Sequence, residues 1–504
     1  MKKNLMIIAM ILCGVSMAKP KIINSEPCEY RDVSCDFYGY QKRFTDEISY
    51  AQALEDLNML IYIMKTAYSG YETSVKRGLE INEIIEVFNQ SNGEKSTIKV
   101  TDLNKFIFEF LKPFIQDCHF CIESKDVENQ CVTIYRVLYS DVYVKKRDES
   151  YVVEKTDNSV LCVGEEIECE DGNLFLYPSH GENVYRVGAF AALDADEKEV
   201  SVTCSGIVTK VLCNISNNYL YSNNIEVYKE IETKDSVYIY IPTLMDVQGN
   251  DIRKAVMDKN FKKLHSVSER YSDKKNIILD YRTNIGGNSV HTSKFLANLF
   301  FMEKNCTEKN THKNIKKIKG FTTDENNRIN LISPAIIQAE DWLGKNIFSQ
   351  EQIWLKEYNK RKKILNNRLL RISYVDRKEK KVKQTKPVFK GKLIILSGKN
   401  TCSSGEDAIL EAKDIFSKTK QFIQVGENSA GCFAYGNVYC YQLLNSGIAL
   451  HVPSFISGNS KECPEGFGIA PDYWSTNADI LKTLEIITKD TELSEKLKDI
   501  NNNL

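Results

Sequence analysis

The chain has 504 residues, long for one core and enough for two or three domains, with 42% hydrophobic and 27% charged residues, as in ordinary globular proteins. Lys plus Arg (67) almost cancels Asp plus Glu (68). That balance excludes a global basic field for nucleic acid or an anionic membrane, and local runs such as KRKK at 360–363 and KEKK at 378–381 read as solvated faces.

Residues 1–18 read as a signal peptide. Lys2 and Lys3 form a positive end, Leu5 to Cys13 form an apolar stretch, and Ser16-Met-Ala18 offers small residues where a signal peptidase cuts. An uncleaved anchor is the alternative, and a lipid-modified Cys13 is disfavoured by Leu12 before it. No later apolar run approaches the ~20 residues of a membrane span. The expectation is an exported protein, periplasmic or secreted, with a mature chain beginning near Lys19 and no stable span. Loss of Cys13 leaves 14 of the 15 cysteines, an even number. The close pairs Cys28/Cys35, Cys162/Cys169, Cys204/Cys213 and Cys432/Cys440 suit local disulfides in an oxidising compartment.

Residues 19–125 read as a helical domain. Leu54, Leu57, Leu60, Ile61 and Met64 recur at three- and four-residue steps, and a second helical stretch runs from Val100 to Phe114. Between 126 and 232 short β-branched and aromatic runs (VTIYRVLY, DVYVKK, NLFLY, EVSVTC) are separated by Asp, Gly and Asn, which predicts a β-rich module. Within it, the Val163–Gly172 segment resembles the peptide-binding PDZ signature, with an unrelated β-sandwich as the alternative. From 233 to 504 apolar strands at 237–241, 276–280, 392–396 and 422–425 alternate with helical patterns at 288–302 and 406–418. That order predicts an α/β domain on a largely parallel sheet. A Lys- and Asn-rich stretch around 303–390 reads as an insertion.

Two strand ends carry residue types suited to catalysis. In Asp280-Tyr-Arg-Thr-Asn-Ile-Gly-Gly287 a buried strand runs into paired glycines before a helix, where backbone N–H groups can hold a developing negative charge; a plain tight turn is the alternative. In Ser397-Gly-Lys-Asn-Thr-Cys-Ser-Ser-Gly-Glu406, Ser403 and Ser404 lie where a strand meets a helix, at the sheet edge that gathers ligands in α/β folds. A serine there also serves as a helix cap. Cys118-His-Phe-Cys121 is half of a zinc pattern without a second half, so no metal is expected.

Taken in order, DxRxNxGG, TxSSGE, Val425-Gly-Glu427 and Pro464-Glu-Gly-Phe-Gly-Ile-Ala-Pro-Asp472 resemble the tail-specific (C-terminal-processing) serine peptidase superfamily, which includes the tricorn protease core and interphotoreceptor retinoid-binding protein. Asp117-Cys-His-Phe resembles the family's Asp-Gly-His-Thr upstream. The resemblance implies Ser403 as nucleophile, with an oxyanion hole from the backbone N–H groups of Ser404, Gly286 and Gly287. The bacterial processing enzymes use a lysine in a Gly-Lys-Gly motif; here the stretch reads Gly426-Glu-Asn-Ser-Ala-Gly-Cys432, and no lysine occurs from 421 to 460. The sequence is similar instead to the tricorn-like branch, which implies His119 as base and Glu465 as its supporting carboxylate. The residue before the histidine, a serine in that branch, is Cys118 here. His291, just past the glycines, is the reserve base, and His451 reads as a half-buried strand residue. Cys402 adjoins Ser403, but the motif points Ser403 at the cleft.

The sequence thus predicts a helical N-terminal domain, a β-rich, PDZ-like module and an α/β serine peptidase domain. Its substrate would be a peptide or protein, cut without cofactor or metal and without a nucleic-acid partner. The alternative is an inactive protein that binds peptides or apolar ligands on the same fold. Oligomeric state is not legible.

Overall fold

The computed structural model describes residues 21–26, 44–66, 68–148, 150–178, 183–214, 228–245, 252–301, 320–323, 369–374, 389–416, 419–456 and 461–501. The signal peptide, Cys28 and Cys35, His180, His312 and most of the 303–390 insertion lie outside these residues. The chain divides into two compact units: one of residues 1–132, 316–379 and 434–460, the other of 133–315, 380–433 and 461–504.

In the first unit the helices Tyr50–Thr66, Glu83–Asn92 and Val100–Leu111 share one core. Leu57, Leu60 and Met64 are fully buried on the face that their spacing marks, while Leu54 and Ile61 flank it. The unit also holds a four-stranded antiparallel sheet, in the order Tyr435–Gln442, Ala449–Ile456, Cys121–Ser124, Val127–Gln130. Its hairpin comes from far along the sequence, with Leu450 opposite Ile122. Asp56, fully buried on the first helix, fixes the hairpin turn by accepting the N–H groups of Asn445 (2.9 Å) and Ser446 (2.8 Å).

The second unit contains two sheets. Strands between Tyr135 and Asn214 form a seven-stranded antiparallel sheet, and pairing of Asn214 with Tyr139 closes part of it on itself. Its interior holds Leu138, Val142, Val153, Ile167, Val187, Val202 and Val211. Among the described residues from 133 to 232 the one helical element is the 3-10 turn Asp171–Asn173.

The other sheet has six strands: Lys229–Glu232, Ser236–Tyr240, Asn276–Asp280, Lys392–Ser397, Phe422–Gly426 and Tyr473–Trp474. The first pairs antiparallel and the rest are parallel, with Ile239 beside Leu279 and Leu279 beside Ile395. Successive side chains point to opposite faces. Ile239, Leu279 and Ile395 pack under one helical layer; Tyr238, Ile278 and Ile394 pack with Ile480, Leu484 and Leu493 on the other side. Both faces are covered, which is why the strands read as unbroken apolar runs. The α/β expectation holds. Helices Val290–Phe301 and Ser404–Phe416 follow the two strands singled out for chemistry.

Candidate active site

The Lys392–Ser397 strand leaves the sheet through a turn closed by Thr401, whose N–H donates to Gly398 O (2.8 Å) and whose hydroxyl reaches Tyr281 O (2.6 Å). Two residues on, Ser403 has φ +52°, a left-handed conformation that costs a non-glycine residue roughly 1–2 kcal/mol. Helix Ser404–Phe416 starts immediately after, so Ser403 occupies the cap position and Glu406 the third helical one.

That spacing is one half of a capping box. The Glu406 carboxylate reaches back to the Ser403 N–H (Oε2, 3.0 Å), while the Ser403 carbonyl accepts the Glu406 N–H (2.9 Å). No hydrogen bond occupies the Ser403 hydroxyl among the described residues. The cap is made by the glutamate and the main chain. The serine oxygen is left over.

Glu406 is completely buried and accepts four further donors: Ser429 Oγ (2.6 Å), Gly431 N–H (2.7 Å), Cys432 N–H (2.9 Å) and Cys463 Sγ (3.3 Å). Burial pushes its carboxyl up to about 7, against the pull of those donors and with the help of the nearby Glu465 charge. Sequence reading missed this residue, although its three-residue spacing from Ser403 is the capping-box signal.

The glycine turn meets the serine turn directly. A Cβ on Gly286 (φ +87°) would lie 2.8 Å from Ser403 Cβ, and one on Gly287 (φ +133°) 2.2 Å from the backbone of Leu244 and Met245. Leu244 N–H donates to Gly286 O and Asn288 N–H to Leu244 O, each at 2.7 Å. Cys402 N–H donates to Asn284 O (3.0 Å), Cys402 Sγ to Ile285 O (3.0 Å), and Ser404 Oγ to Gly287 O (2.5 Å). Gly286 N–H, one of the expected oxyanion donors, donates to Asn284 Oδ1 at 2.9 Å. Gly287 N–H and Ser404 N–H have no partner among the described residues. The strand end below is pinned by Asp280, which accepts from Arg282 (2.6 Å) and from Tyr238 OH (2.5 Å).

Glu465 is half-buried in a loop tied to the Glu406 surroundings by Gly466 N–H to Gly431 O (2.9 Å). The second unit therefore brings together Ser403, Ser404, Gly286, Gly287 and Glu465. His119 belongs to the first unit, where its N–H donates to Asp117 (2.8 Å). Its Nδ1 is buried without a hydrogen-bond partner among the described residues, and burial lowers its pKa to about 4, so the ring is neutral near pH 7. The reserve base is engaged elsewhere: His291 stacks on Phe261 (3.5 Å between centroids) and shares a 3.3 Å contact with His265. His451 is a half-buried strand residue that meets Glu123 at 3.3 Å. Among the described residues no three His, Cys, Asp or Glu side chains come together in a way that could hold a metal, and no helix is long and apolar enough to cross a membrane.

Residues 236–475, which carry both turns and the Glu465 loop, match the family model of peptidase family S41. That stretch is similar to the tail-specific peptidase superfamily. No curated protein sequence matches it significantly. Among solved structures, mature CPAF complexed with lactacystin is similar at 13% identity, over 90% of this chain and 99% of that one, with a TM-score of 0.39. A putative peptidase from Parabacteroides merdae is 13% identical over 85% and 92% of the two chains, TM-score 0.38. The photosystem II D1 C-terminal processing protease is 11% identical over 87% and 97%, TM-score 0.34. Likenesses this distant transfer no residue role, and the S41 domain of this chain is read from its own geometry.

Proposed function

We propose that this S41 domain is a serine endopeptidase and that Ser403 is its nucleophile. The observation that carries this reading is the unengaged Ser403 hydroxyl on a left-handed residue, at a strand-to-helix turn where Glu406 does the capping. Ser403 Oγ would attack the scissile carbonyl while a base takes its proton, since a hydroxyl is a weak nucleophile until deprotonated. His119 is the proposed base: its ring is neutral near pH 7, and it would then hand the proton to the leaving amine. Glu465 is the proposed carboxylate partner, fixing the imidazole tautomer and stabilising its charged form. The tetrahedral oxyanion would be held by the N–H groups of Gly287 and Ser404, with the start of helix Ser404–Phe416 adding its dipole. Water then releases the acyl group by the same proton path. A peptide or protein is the proposed substrate, and export with removal of the signal peptide is the proposed context. The β-rich module is proposed as a peptide-docking element that uses an exposed strand edge in the PDZ manner.

The test is covalent labelling of the purified protein with a biotinylated fluorophosphonate, mapped by mass spectrometry. A single adduct on Ser403, lost in Ser403→Ala together with peptide hydrolysis, is the expected result. A folded wild-type protein that takes no label and cuts no peptide would instead favour the inactive, ligand-binding alternative.

A further inference from the structure

An oxyanion donor acts by pointing the right way before charge develops. The Gly287 N–H lies in one rigid trans peptide plane with the Gly286 carbonyl and points opposite to it, so whatever holds Gly286 O sets the direction of that N–H. Two donors hold it, both just past the Ser236–Tyr240 strand: Leu244 N–H at 2.7 Å and the Thr243 hydroxyl at 3.2 Å. Gly287, at φ +133°, has no side chain to anchor that plane, so the task falls to these bonds.

The Thr243 side chain does more than add a second bond. It is fully buried, and its hydroxyl oxygen also accepts the Met245 N–H at 3.1 Å. Such a link from a threonine to the N–H two residues on fixes the chain between them, here around Leu244. The Met245 N–H in turn shares its plane with the Leu244 carbonyl, which accepts the Asn288 N–H at 2.7 Å. One hydroxyl therefore joins the peptide plane before Gly287 to the plane that holds the group after it.

We propose that Thr243 is a positioning residue for the oxyanion hole: its hydroxyl fixes the Gly286–Gly287 peptide plane, and with it the direction of the Gly287 N–H. The proposal rests on Ser403 being the nucleophile and Gly287 a donor to the oxyanion. Thr243 acts through the Gly286 carbonyl and through the chain around Leu244. The Leu244 N–H remains on Gly286 O when the hydroxyl is lost, so the plane is loosened and not released. The consequence is a partial defect, smaller than the loss of about 10²–10³ in kcat that follows removal of a whole oxyanion donor.

The experiment compares two pairs that differ in the hydroxyl: wild type with Thr243→Val, and Thr243→Ser with Thr243→Ala. Rates are counted per Ser403 labelled by saturating fluorophosphonate, so that unfolded protein drops out. Each protein is assayed on a fluorogenic peptide and against a peptide aldehyde, whose hemiacetal adduct with Ser403 sets an oxygen in the oxyanion site. Without the hydroxyl we expect kcat to fall about tenfold with KM unchanged, and aldehyde affinity to fall by the same factor, the pattern of an interaction made in the transition state. Thr243→Ser should keep most of both. If Thr243→Val does not fold, the Ser and Ala pair decides alone. Equal kcat and equal aldehyde affinity within the pairs, with Ser403→Ala inactive, overturns the role of Thr243 and leaves the nucleophile in place. A fall in kcat with aldehyde affinity unchanged overturns it as well, because the oxyanion site is then intact. Undiminished hydrolysis in Ser403→Ala would overturn the nucleophile assignment itself, and this role with it.

Discussion

Ser403 differs from a capping serine in two respects: its backbone is left-handed, and its hydroxyl is not bonded to the helix it precedes. Both follow from Glu406, which takes the Ser403 N–H and ties it to the 429–432 loop. Each oxygen of this carboxylate faces at least one backbone N–H, Gly431 on Oε1 and Ser403 with Cys432 on Oε2. In Glu406→Gln the amide NH2 must therefore oppose a donor whichever way it is turned. Hydrogen bonds to charged groups contribute about 1.5–3 kcal/mol, so kcat should fall at least tenfold and the melting temperature should drop. The pH signature is separate. Its folded pKa, about 7, lies above the unfolded carboxylate value of ~4.3, so the stability linked to its protonation is complete at low pH and is lost as pH rises through 7. Burial raises the Glu411 and Glu427 carboxyls in the same direction, so wild-type protein should melt higher at pH 5 than at pH 8 by an increment that Glu406→Gln reduces; an undiminished increment in the variant would sink the assignment. For His119 the sequence suggests an acid limb near the ordinary histidine value of ~6.5. Burial moves it to about 4, so the rate should hold down to about pH 5.5 and fall only below that. A limb at 6.5 that vanishes in His119→Ala would contradict the burial.

At the scale of elements, the parts legible in the sequence are those whose cause is local. The strands at 276–280 and 392–397 announce themselves because both sheet faces are covered, and the helix after Ser403 by its apolar spacing. The hairpin 435–456 was not legible as a partner of Cys121–Ser124, since some 300 residues separate them and β pairing leaves no mark on composition. Nor was the capture of Gly286 N–H by Asn284, which depends on a side-chain rotamer and not on spacing. The two glycines of the turn, similar in sequence, differ in what a methyl group would do. At Gly287 it would meet main-chain atoms of Leu244 and Met245 at 2.2 Å, which cannot yield. At Gly286 it would meet Cys402 O and the Ser403 Cβ at 2.8 Å, a milder overlap than at Gly287. Gly286→Ala should therefore fold with kcat reduced about 100-fold, a 1 Å misplacement at the reacting atoms being enough for that. Gly287→Ala should fail to accumulate as folded protein. Full activity in Gly286→Ala would mean that the two turns do not approach as they do here.

Across the whole molecule, the even cysteine count suggested stability from local disulfides, and the structure redirects that expectation. Cys162, Cys169, Cys204 and Cys213 carry free thiols. In the Cys204/Cys213 case geometry forbids the bond: on their hairpin Cys204 lies opposite Ile207 while Cys213 lies opposite Lys198, six residues along at ~3.3 Å each. That is roughly 20 Å, far beyond the ~4.4–6.8 Å between the Cα atoms of a disulfide. The side chain of Cys440 lies outside the described residues. Free thiols remain compatible with an oxidising compartment where they are inert, because the thiolate is the reactive form. Burial raises Cys131 and Cys213 to about 12 and Cys169 to about 11, and pushes Cys121 and Cys463 higher still, with the Glu406 charge adding to the effect on Cys463. Cys162, by contrast, is exposed. In unreduced, mature protein, a thiol reagent such as DTNB at pH 8 should label Cys162 quickly and these five only after denaturation, as peptide mapping would read out. Reductant should then leave the labelling of these six cysteines unchanged, in contrast to a fold in which they are stapled by bridges worth ~2–4 kcal/mol each. Denatured, unreduced protein in which Cys169 and Cys213 no longer react would restore the disulfide account. Equal labelling rates for all six in the native state would show that burial does not protect them.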